Sequence, residues 1–367
     1  MGRIFLLTVD SHVFDPFSIQ SYKGSYGVSF VEDFFCEINK MNAEKIHFII
    51  DETISRLYKE KLKDCLSSSS VLLIRANEEN KSLEKIPLYV KHLIENKIRR
   101  HHTLVAIGGG IIQDITAFLS TVLLRGVDWH FYPTTLLAQA DSCIGSKSSI
   151  NACDTKNILG TFLPPKKITI DTQLLETLSD VDFRSGIGEI LKIHLIEGKK
   201  AFGSVAGEYA MLKRDKKILQ KYIYASLKMK KKIIEEDEFD KKTRNILNYG
   251  HSFGHAIESS TNYAIPHGIA ITLGMDMANY LSLKLGKLDQ NNFNRIHEIL
   301  ALNYQGFEKH PIPPETFLTA ISKDKKNSDN KLKLILNNNE GRVEITEQEN
   351  NLFFKNVCCD YFKHIRC

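Results

Sequence analysis

Three histidines and one glutamate are the side chains of this sequence best suited to chemistry. His251 and His255 lie four residues apart in a segment predicted to be helical, so their imidazoles share one helical face. His267 begins the next predicted helix, and Glu189 lies in an apolar helical run upstream. Imidazoles and one carboxylate that leave a coordination position open are typical of a catalytic zinc site rather than a structural one. The alternative is that these histidines only hydrogen-bond to neighbouring backbone.

The composition is that of a globular protein large enough for two domains. The chain has 367 residues, 43% hydrophobic and 25% charged. A formal net charge of +5 is too small to favour a nucleic-acid partner. The sequence shows no apolar stretch of the roughly 18 residues that a membrane span needs, and no signal-peptide pattern. Seven cysteines without regular spacing indicate a reducing compartment, so we expect a cytoplasmic enzyme.

The first half of the chain alternates predicted strands and helices, which predicts a mostly parallel sheet. The predicted strands are residues 45–51, 70–75, 103–107, 129–132 and 167–171. Helical periodicity dominates from about residue 175 to 305, and a short β-like pair follows a polar loop at 323–330. We therefore expect an α/β domain at 1–175 and a mostly helical domain at 176–367, with ligands in the cleft between them.

A glycine triplet, residues 108–110, follows the strand predicted at 103–107 and opens a helix. Backbone amides at such a helix start can approach a pyrophosphate closely. The motif departs from the G-x-G-x-x-G fingerprint, and a tight turn that binds nothing is the alternative. Polar residues after other predicted strands favour a nucleotide site, because ligands of open α/β sheets lie at strand ends: Asp51, Glu78, Lys81, Thr134 and Thr135.

A polar segment from Asp141 to Asn157 separates the two halves. Its lysines and asparagines, interleaved with small residues, predict a loop that holds an anion, since lysine is a point-charge phosphate ligand. A solvated loop is the alternative. The lysine-rich run at 228–232 predicts a solvated helix face for most of its members.

In this order and spacing, the motifs resemble those of 3-dehydroquinate synthase and the wider sugar phosphate cyclase family over residues 45–345. The specific matches are residues 108–114, 124–126, 133–139, 141–157, 188–192, 247–258 and 267–268. The resemblance implies an N-terminal NAD-binding α/β domain with a parallel sheet, a helical C-terminal domain that binds zinc or cobalt, and a homodimer. A small-molecule sugar phosphate would be the substrate.

The resemblance also assigns site residues. It implies a metal site of Glu189, His251 and His267. It implies NAD contacts at Asp51, Glu78, Lys81, Gly109, Gly110, Asp114, Thr134, Thr135, Lys147, Lys156 and Thr177. It implies a substrate site of Asp141, Lys147, Asn157, Lys192, Lys230, Arg244, Asn248 and His255, with Arg125 reaching across the dimer contact.

The implied reaction oxidises a ring hydroxyl of a seven-carbon sugar acid phosphate with NAD, eliminates phosphate, returns the hydride and closes a carbocycle. Three departures from the family pattern bear on the choice of sugar phosphate. Ile269 stands where an acid is common after the last zinc ligand, and Gln113 stands where glycine is usual. The stretch from Ala152 to Thr155 lacks a histidine and a glycine.

Two other functions compete with this one. A metal-dependent alcohol dehydrogenase shares the two-domain plan, but the cluster of lysines with Arg244 would be superfluous for a small uncharged alcohol. A scaffold without activity is opposed by the intact set of Glu189, His251 and His267.

Overall fold

The computed structural model describes residues 14–41, 43–68, 70–153, 155–323, 331–339 and 341–366. The amino-terminal residues 1–13, where no signal peptide was predicted, and most of the predicted polar loop at 323–330 lie outside these ranges. The chain forms two compact units, and each unit is made of two separate segments of the sequence. The first unit comprises Met1–Thr134 and Ser146–Leu174, and the second comprises Thr135–Gly145 and Leu175–Cys367. The prediction of a single division at residue 175 did not assign residues 135–145 to the second unit.

The first unit is built on a seven-stranded sheet of order β1-β2-β9-β6-β5-β3-β4. Its strands are β1 Phe17–Ile19, β2 Tyr26–Phe30, β3 Ile46–Asp51, β4 Val71–Ile74, β5 Thr103–Gly108, β6 Asp128–Pro133 and β9 Lys167–Ile170. Only β1 is antiparallel to its neighbour among these described strands. All five predicted strands are present, and the predicted α/β class is confirmed. The pair β1 and β2 was not predicted.

The helices of the first unit connect these strands. They are α1 Phe34–Asn39, α2 Glu52–Leu57, α3 Lys63–Leu66, α4 Ile86–Glu95 and α5 Gly110–Val122. Residues Leu104 to Ile107 of β5 are completely buried, as expected of a central parallel strand covered on both faces. This explains why β5 appears in the sequence as a continuous apolar run.

Most of the polar segment predicted to be a loop belongs instead to a β-hairpin. Strands β7 Lys147–Ala152 and β8 Thr155–Phe162 pair antiparallel, with Lys147 opposite Phe162 and an irregularity between Ile150 and Ala152. The prediction of a loop was wrong because small polar residues mask the alternation of buried and exposed positions that marks β7. The earlier part of the segment, Ala138–Ser142, is a π-helical turn.

The second unit is mostly helical, which confirms that prediction. Its helices are α6 Asp180–Glu197, α7 Lys199–Gly207, α8 Lys216–Glu236, α9 His251–Ser260, α10 His267–Lys284, α11 Gln290–Tyr304, α12 Pro314–Ser322 and α13 Leu352–Asp360. A hairpin of β10 Lys331–Asn337 and β11 Val343–Glu349 matches the predicted β-like pair. Every described helix is too short or too polar to cross a bilayer.

Helix α10 is the centre of the second unit, and glycines let its neighbours approach it closely. The helix is apolar and buried around its circumference, and it packs against α6, α9 and α11. A Cβ on Gly254 of α9 would lie 3.0 Å from the backbone oxygen of Ala270. A Cβ on Gly268 would collide with the backbone of Ser185 in α6. The chain therefore brings three helices to backbone contact where the metal-ligand candidates lie.

Candidate functional site

The three predicted metal ligands converge in the second unit. Glu189 lies in the middle of α6, whereas His251 and His267 are the first residues of α9 and α10. One ligand atom from each residue lies within 4.8 Å of the others. The Nε2 atom of His267 lies 3.7 Å from Oε1 of Glu189, whose side chain is 2% exposed. Three separate helices thus supply one donor each, a geometry that suits a single ion.

The protonation of these side chains suits a divalent cation. Burial, together with the positive charge of Lys192, lowers the pKa of His251 well below its usual value, so its imidazole is neutral. Its Nδ1 lies 3.2 Å from the carbonyl oxygen of Tyr249, which makes Nδ1 the donor and leaves the Nε2 lone pair for a metal. Burial raises the pKa of Glu189, so a further cation held beside its carboxylate with Lys192 would favour the ionised form. The donor set therefore fits zinc or cobalt.

A buried ion-pair network adjoins the metal-ligand candidates. Asp141, in the π-helical turn, has Oδ2 3.2 Å from the Nζ of Lys192 and Oδ1 2.5 Å from the Nζ of Lys230. Lys230 also donates a 2.7 Å hydrogen bond to the Asp141 carbonyl oxygen, and Lys192 contacts Glu189. The lysine side chains are only 3% and 8% exposed. Lys192 therefore connects the metal-ligand candidate Glu189 to Asp141.

Charge pairing keeps Asp141 and Lys192 ionised despite their burial. Burial opposes ionisation of Asp141, but the two lysines lower its pKa below the usual range. Burial likewise opposes protonation of Lys192, but Asp141 and Glu189 raise its pKa to about 12. Burial lowers the pKa of Lys230, and nearby Arg244 adds to that effect. Lys230 and Arg244 are thus two cations in proximity, as expected where an anion binds.

Arg244, Asn248 and His255 surround the same region of the second unit. Arg244 is buried and donates through Nη1 to the Glu238 carbonyl. Its guanidinium occupies space that a side chain at position 145 would fill. A Cβ on Gly145 would lie 2.7 Å from Nη2 of Arg244. The exposed ring of His255 has its centroid 5.3 Å from that of His251. Asn248 donates to the carbonyl of Asn245 at 3.1 Å.

The predicted nucleotide residues form a second polar network in the first unit. The Nζ of Lys81 lies 3.3 Å from Asp114 Oδ2 and donates to Asn157 Oδ1 at 2.9 Å. Glu78 extends the network, at 3.6 Å from Lys81 and 3.8 Å from Lys156. Gly109 caps α5 and Gly110 is its first residue, with open space where a Gly110 Cβ would be. The helix start is therefore accessible to a pyrophosphate.

The remaining predicted residues are dispersed. Asp51 caps α2 by accepting from the Thr53 amide at 2.8 Å, which is a structural role. Thr134 is buried in the first unit, whereas Thr135 and Thr177 belong to the second. Lys147 and Arg125 are exposed, and Arg125 has a left-handed φ of 66°.

Ser149 and Glu258 in these networks were not predicted, and Asn151 was predicted only as part of the anion-binding loop. Ser149 donates to Asp114 through its amide at 3.0 Å, and Asn151 donates to Glu78 Oε2 at 2.8 Å. Both share the face of β7 with Lys147, a period of two that would have identified them had the strand been predicted. Glu258 lies 3.2 Å from Nδ1 of His267. Its position seven residues after His251 places it on the same face of α9.

Comparisons with known proteins agree with the predicted family. Residues 71–185 match the family model described as 3-dehydroquinate synthase N-terminal, and residues 186–327 match 3-dehydroquinate synthase C-terminal. A 3-dehydroquinate synthase from Dictyoglomus turgidum is 38% identical over 304 residues, which cover 82% of this chain and 84% of the relative.

Solved structures show the same fold at lower identity. A 2-deoxy-scyllo-inosose synthase, in complex with carbaglucose-6-phosphate, NAD+ and Co2+, has a TM-score of 0.80 at 21% identity, with 94% of this chain and 99% of that chain covered. The 2-epi-5-epi-valiolone synthase from Streptomyces hygroscopicus, with NAD+ and Zn2+ bound, has a TM-score of 0.79 at 23% identity, and 98% of each chain is covered.

Proposed function

The chain belongs to the 3-dehydroquinate synthase family, and on that premise we propose that it is a carbon–oxygen lyase that closes a carbocycle. Its substrate is a seven-carbon sugar acid phosphate, 3-deoxy-D-arabino-heptulosonate 7-phosphate (DAHP), and inorganic phosphate is the second product. It uses NAD and one divalent metal ion. The reaction serves aromatic biosynthesis through the shikimate pathway.

The observation that carries this proposal is the placement of cations around the metal-ligand candidates. Lys192 and Lys230 are held on Asp141 beside Glu189, and Arg244 lies close to Lys230. Together with a bound divalent ion, these cations would concentrate positive charge around the metal-ligand candidates, which favours an anionic substrate. A neutral alcohol would make no use of this charge.

The side chains have separable roles in this proposal. When bound, the metal supplies Lewis acidity and NAD accepts and returns a hydride. Arg244 binds the substrate carboxylate, for which a guanidinium is better matched than an ammonium. Lys192 and Lys230 bind phosphate oxygens, and exposed His255 moves a proton at a substrate oxygen. In the first unit, Lys81 and Asp114 hold the nucleotide beside the amide groups at the start of α5.

Phosphate release from DAHP tests this function. Purified protein with NAD and Zn2+ should release phosphate from DAHP, require NAD, and show no net gain in absorbance from NADH. Lys230→Met should lose most of this activity, whereas Lys232→Met should retain it. Lys232 lies on the same helix, and its side chain is 69% exposed and pairs with Glu197.

Each competing function makes a different prediction in the same assay. Turnover of sedoheptulose 7-phosphate without turnover of DAHP would indicate a cyclase of a specialised pathway, in keeping with the departure from the family pattern between Ala152 and Thr155. NADH formed in proportion to substrate would indicate a dehydrogenase. Failure to bind both NAD and metal would indicate a scaffold.

We further propose that the chain is a homodimer that works in the cytoplasm. Val122 and Leu124 are 48% and 46% exposed beside Arg125, an apolar surface that supports a contact between copies. Sedimentation analysis should give about twice the mass of one chain, and Leu124→Glu should shift that mass toward a monomer.

The six described cysteines are free thiols, which supports a reducing compartment. Cell fractionation tests the compartment.

A further inference from the structure

His267 lies between two carboxylates on different helices. Its Nε2 is 3.7 Å from Glu189 Oε1, and its Nδ1 is 3.2 Å from Glu258 Oε2. A neutral imidazole has one N–H and one lone pair, so the nitrogen that carries the proton decides which side can bind a metal. Glu258 at Nδ1 is therefore in a position to determine whether Nε2, on the side of Glu189, keeps its lone pair for a metal.

Glu258 is held rigidly enough for this control. Its side chain is 12% exposed, and α9, on which it lies, packs against α10 through Gly254. The carbonyl oxygen of Glu258 accepts a 2.7 Å hydrogen bond from the Tyr263 amide, which fixes the end of α9. The same helix carries the ligand candidate His251 on the same face, so one rigid element supports both histidines.

Ile269 supplies no acid to His267, although an acid is common at that position in the family. The Ile269 side chain is fully buried among the helices of the second unit. Glu258 instead reaches His267 from α9, so an acid still lies beside this ligand candidate.

We propose that Glu258 is the positioning residue of this metal centre. Its carboxylate accepts the hydrogen bond from Nδ1–H of His267, which fixes the tautomer and directs the Nε2 lone pair toward Glu189 and His251. The carbonyl of Tyr249 has the matching relation to Nδ1 of His251 at 3.2 Å. Both histidines thus keep the lone pair of Nε2 available for a metal. The inference rests on the proposed metal site and adds the residue that tunes it.

A rival arrangement uses the same side chains differently. His255, Glu258 and His267 also have ligand atoms within 4.8 Å of one another. If Glu258 were a metal ligand, it would hold a second ion through Nδ1 of His267 and would not orient the first. The number of ions bound per chain separates the two arrangements.

Cobalt binding provides a test that does not depend on turnover. The Co2+ dissociation constant is measured by competition with a chelator, and the visible absorption of bound Co2+ reports its coordination. We expect one ion per wild-type chain. Glu258→Gln should bind Co2+ about 10–100-fold more weakly with an altered visible spectrum, and Glu258→Asp should lose less.

The control is Glu208→Gln, which removes a carboxylate that hydrogen-bonds Lys221 and Tyr222 in the same unit. It should bind Co2+ as the wild type does, and circular dichroism should show that all variants are folded. Wild-type affinity and spectrum in Glu258→Gln would overturn the positioning role, as would two ions in the wild type and one in the variant. A wild type that binds no Co2+ would instead overturn the metal site of the proposed function.

Discussion

A Cβ atom on Gly188 would lie 2.5 Å from the carbonyl oxygen of Gly268, so α6 and α10 touch through their backbones at this point. Each glycine directly adjoins a metal-ligand candidate, Glu189 on α6 and His267 on α10. The separation of the two ligands is therefore set by the absence of two side chains.

Replacement of Gly188 by alanine should force the two helices apart. Overpacking of this kind costs roughly 1–3 kcal/mol of unfolding free energy, and the displaced Glu189 should weaken metal binding. Thermal unfolding and chelator competition measure the two effects. Gly203→Ala in α7 is the control, because its Cβ would meet only Arg295, at 4.0 Å. Equal metal affinity in the two variants would show that the helix contact does not set the site.

Removal of His251 should abolish tight metal binding. Among Glu189, His251 and His267, only His251 lies on α9. Without it, two donors remain, and they hold a divalent ion poorly. Elemental analysis of purified His251→Ala should show the metal largely lost, whereas His364→Ala, at an exposed histidine, should retain it. Full metal content in His251→Ala would contradict the assignment of His251 as a metal ligand.

Asp114→Asn should weaken NAD binding about ten- to a hundredfold, because a hydrogen bond to a charged group is worth about 1.5–3 kcal/mol. The half-buried Asp114 pairs with Lys81 and accepts a hydrogen bond from the Ser149 amide. Calorimetric titration with NAD measures the loss. Asp128→Asn, which removes an exposed acid paired with Lys166 at 3.8 Å, is the control. NAD affinity that is unchanged in Asp114→Asn would place the nucleotide elsewhere.

Arg244→Gln should lower kcat/KM for DAHP by about one to two decades, the effect of losing one charged hydrogen bond to the substrate carboxylate. Arg214→Gln, at an exposed position, should leave it unchanged. Steady-state kinetics with DAHP and sedoheptulose 7-phosphate separate carboxylate recognition from general effects. A loss that is equal for both substrates contradicts the assigned role of Arg244.

The pair of His297 and Asp276 should make stability depend on pH. The Nδ1 of His297 lies 2.9 Å from the buried carboxylate of Asp276, and this hydrogen bond raises the pKa of His297. A raised folded-state pKa contributes stability that is complete below the unfolded value of about 6.5 and is lost as pH rises through the folded value. His297→Gln should therefore destabilise the protein more at pH 6 than at pH 9.

Urea unfolding of wild type and His297→Gln at both pH values measures this difference, and groups common to the two proteins cancel. Tyr304 and Tyr361 also donate to Asp276, at 3.0 and 2.7 Å, so the carboxylate retains partners in the variant. A difference in stability that is the same at pH 6 and pH 9 would show that His297 does not titrate in this range.

Local patterns in the sequence predicted the elements and the donor types well. The apolar runs of β3, β5 and β6 and the helical periodicity after residue 175 follow from how each element is buried. The spacing of His251 and His255 determines a shared helix face wherever that helix lies. These properties depend on neighbours within one turn or one strand, and for that reason a single sequence contains them.

The tertiary structure decided what no local pattern contains. The hairpin of β7 and β8 exists through cross-strand pairing, so the polar segment did not reveal it. Asp141 joins Lys192 and Lys230 across separations of 51 and 89 residues, and Glu258 on α9 meets His267 on α10. Such contacts depend on how closely helices pack, and at α6, α9 and α10 that distance is set by glycines whose importance appears only when the opposing backbone is in place.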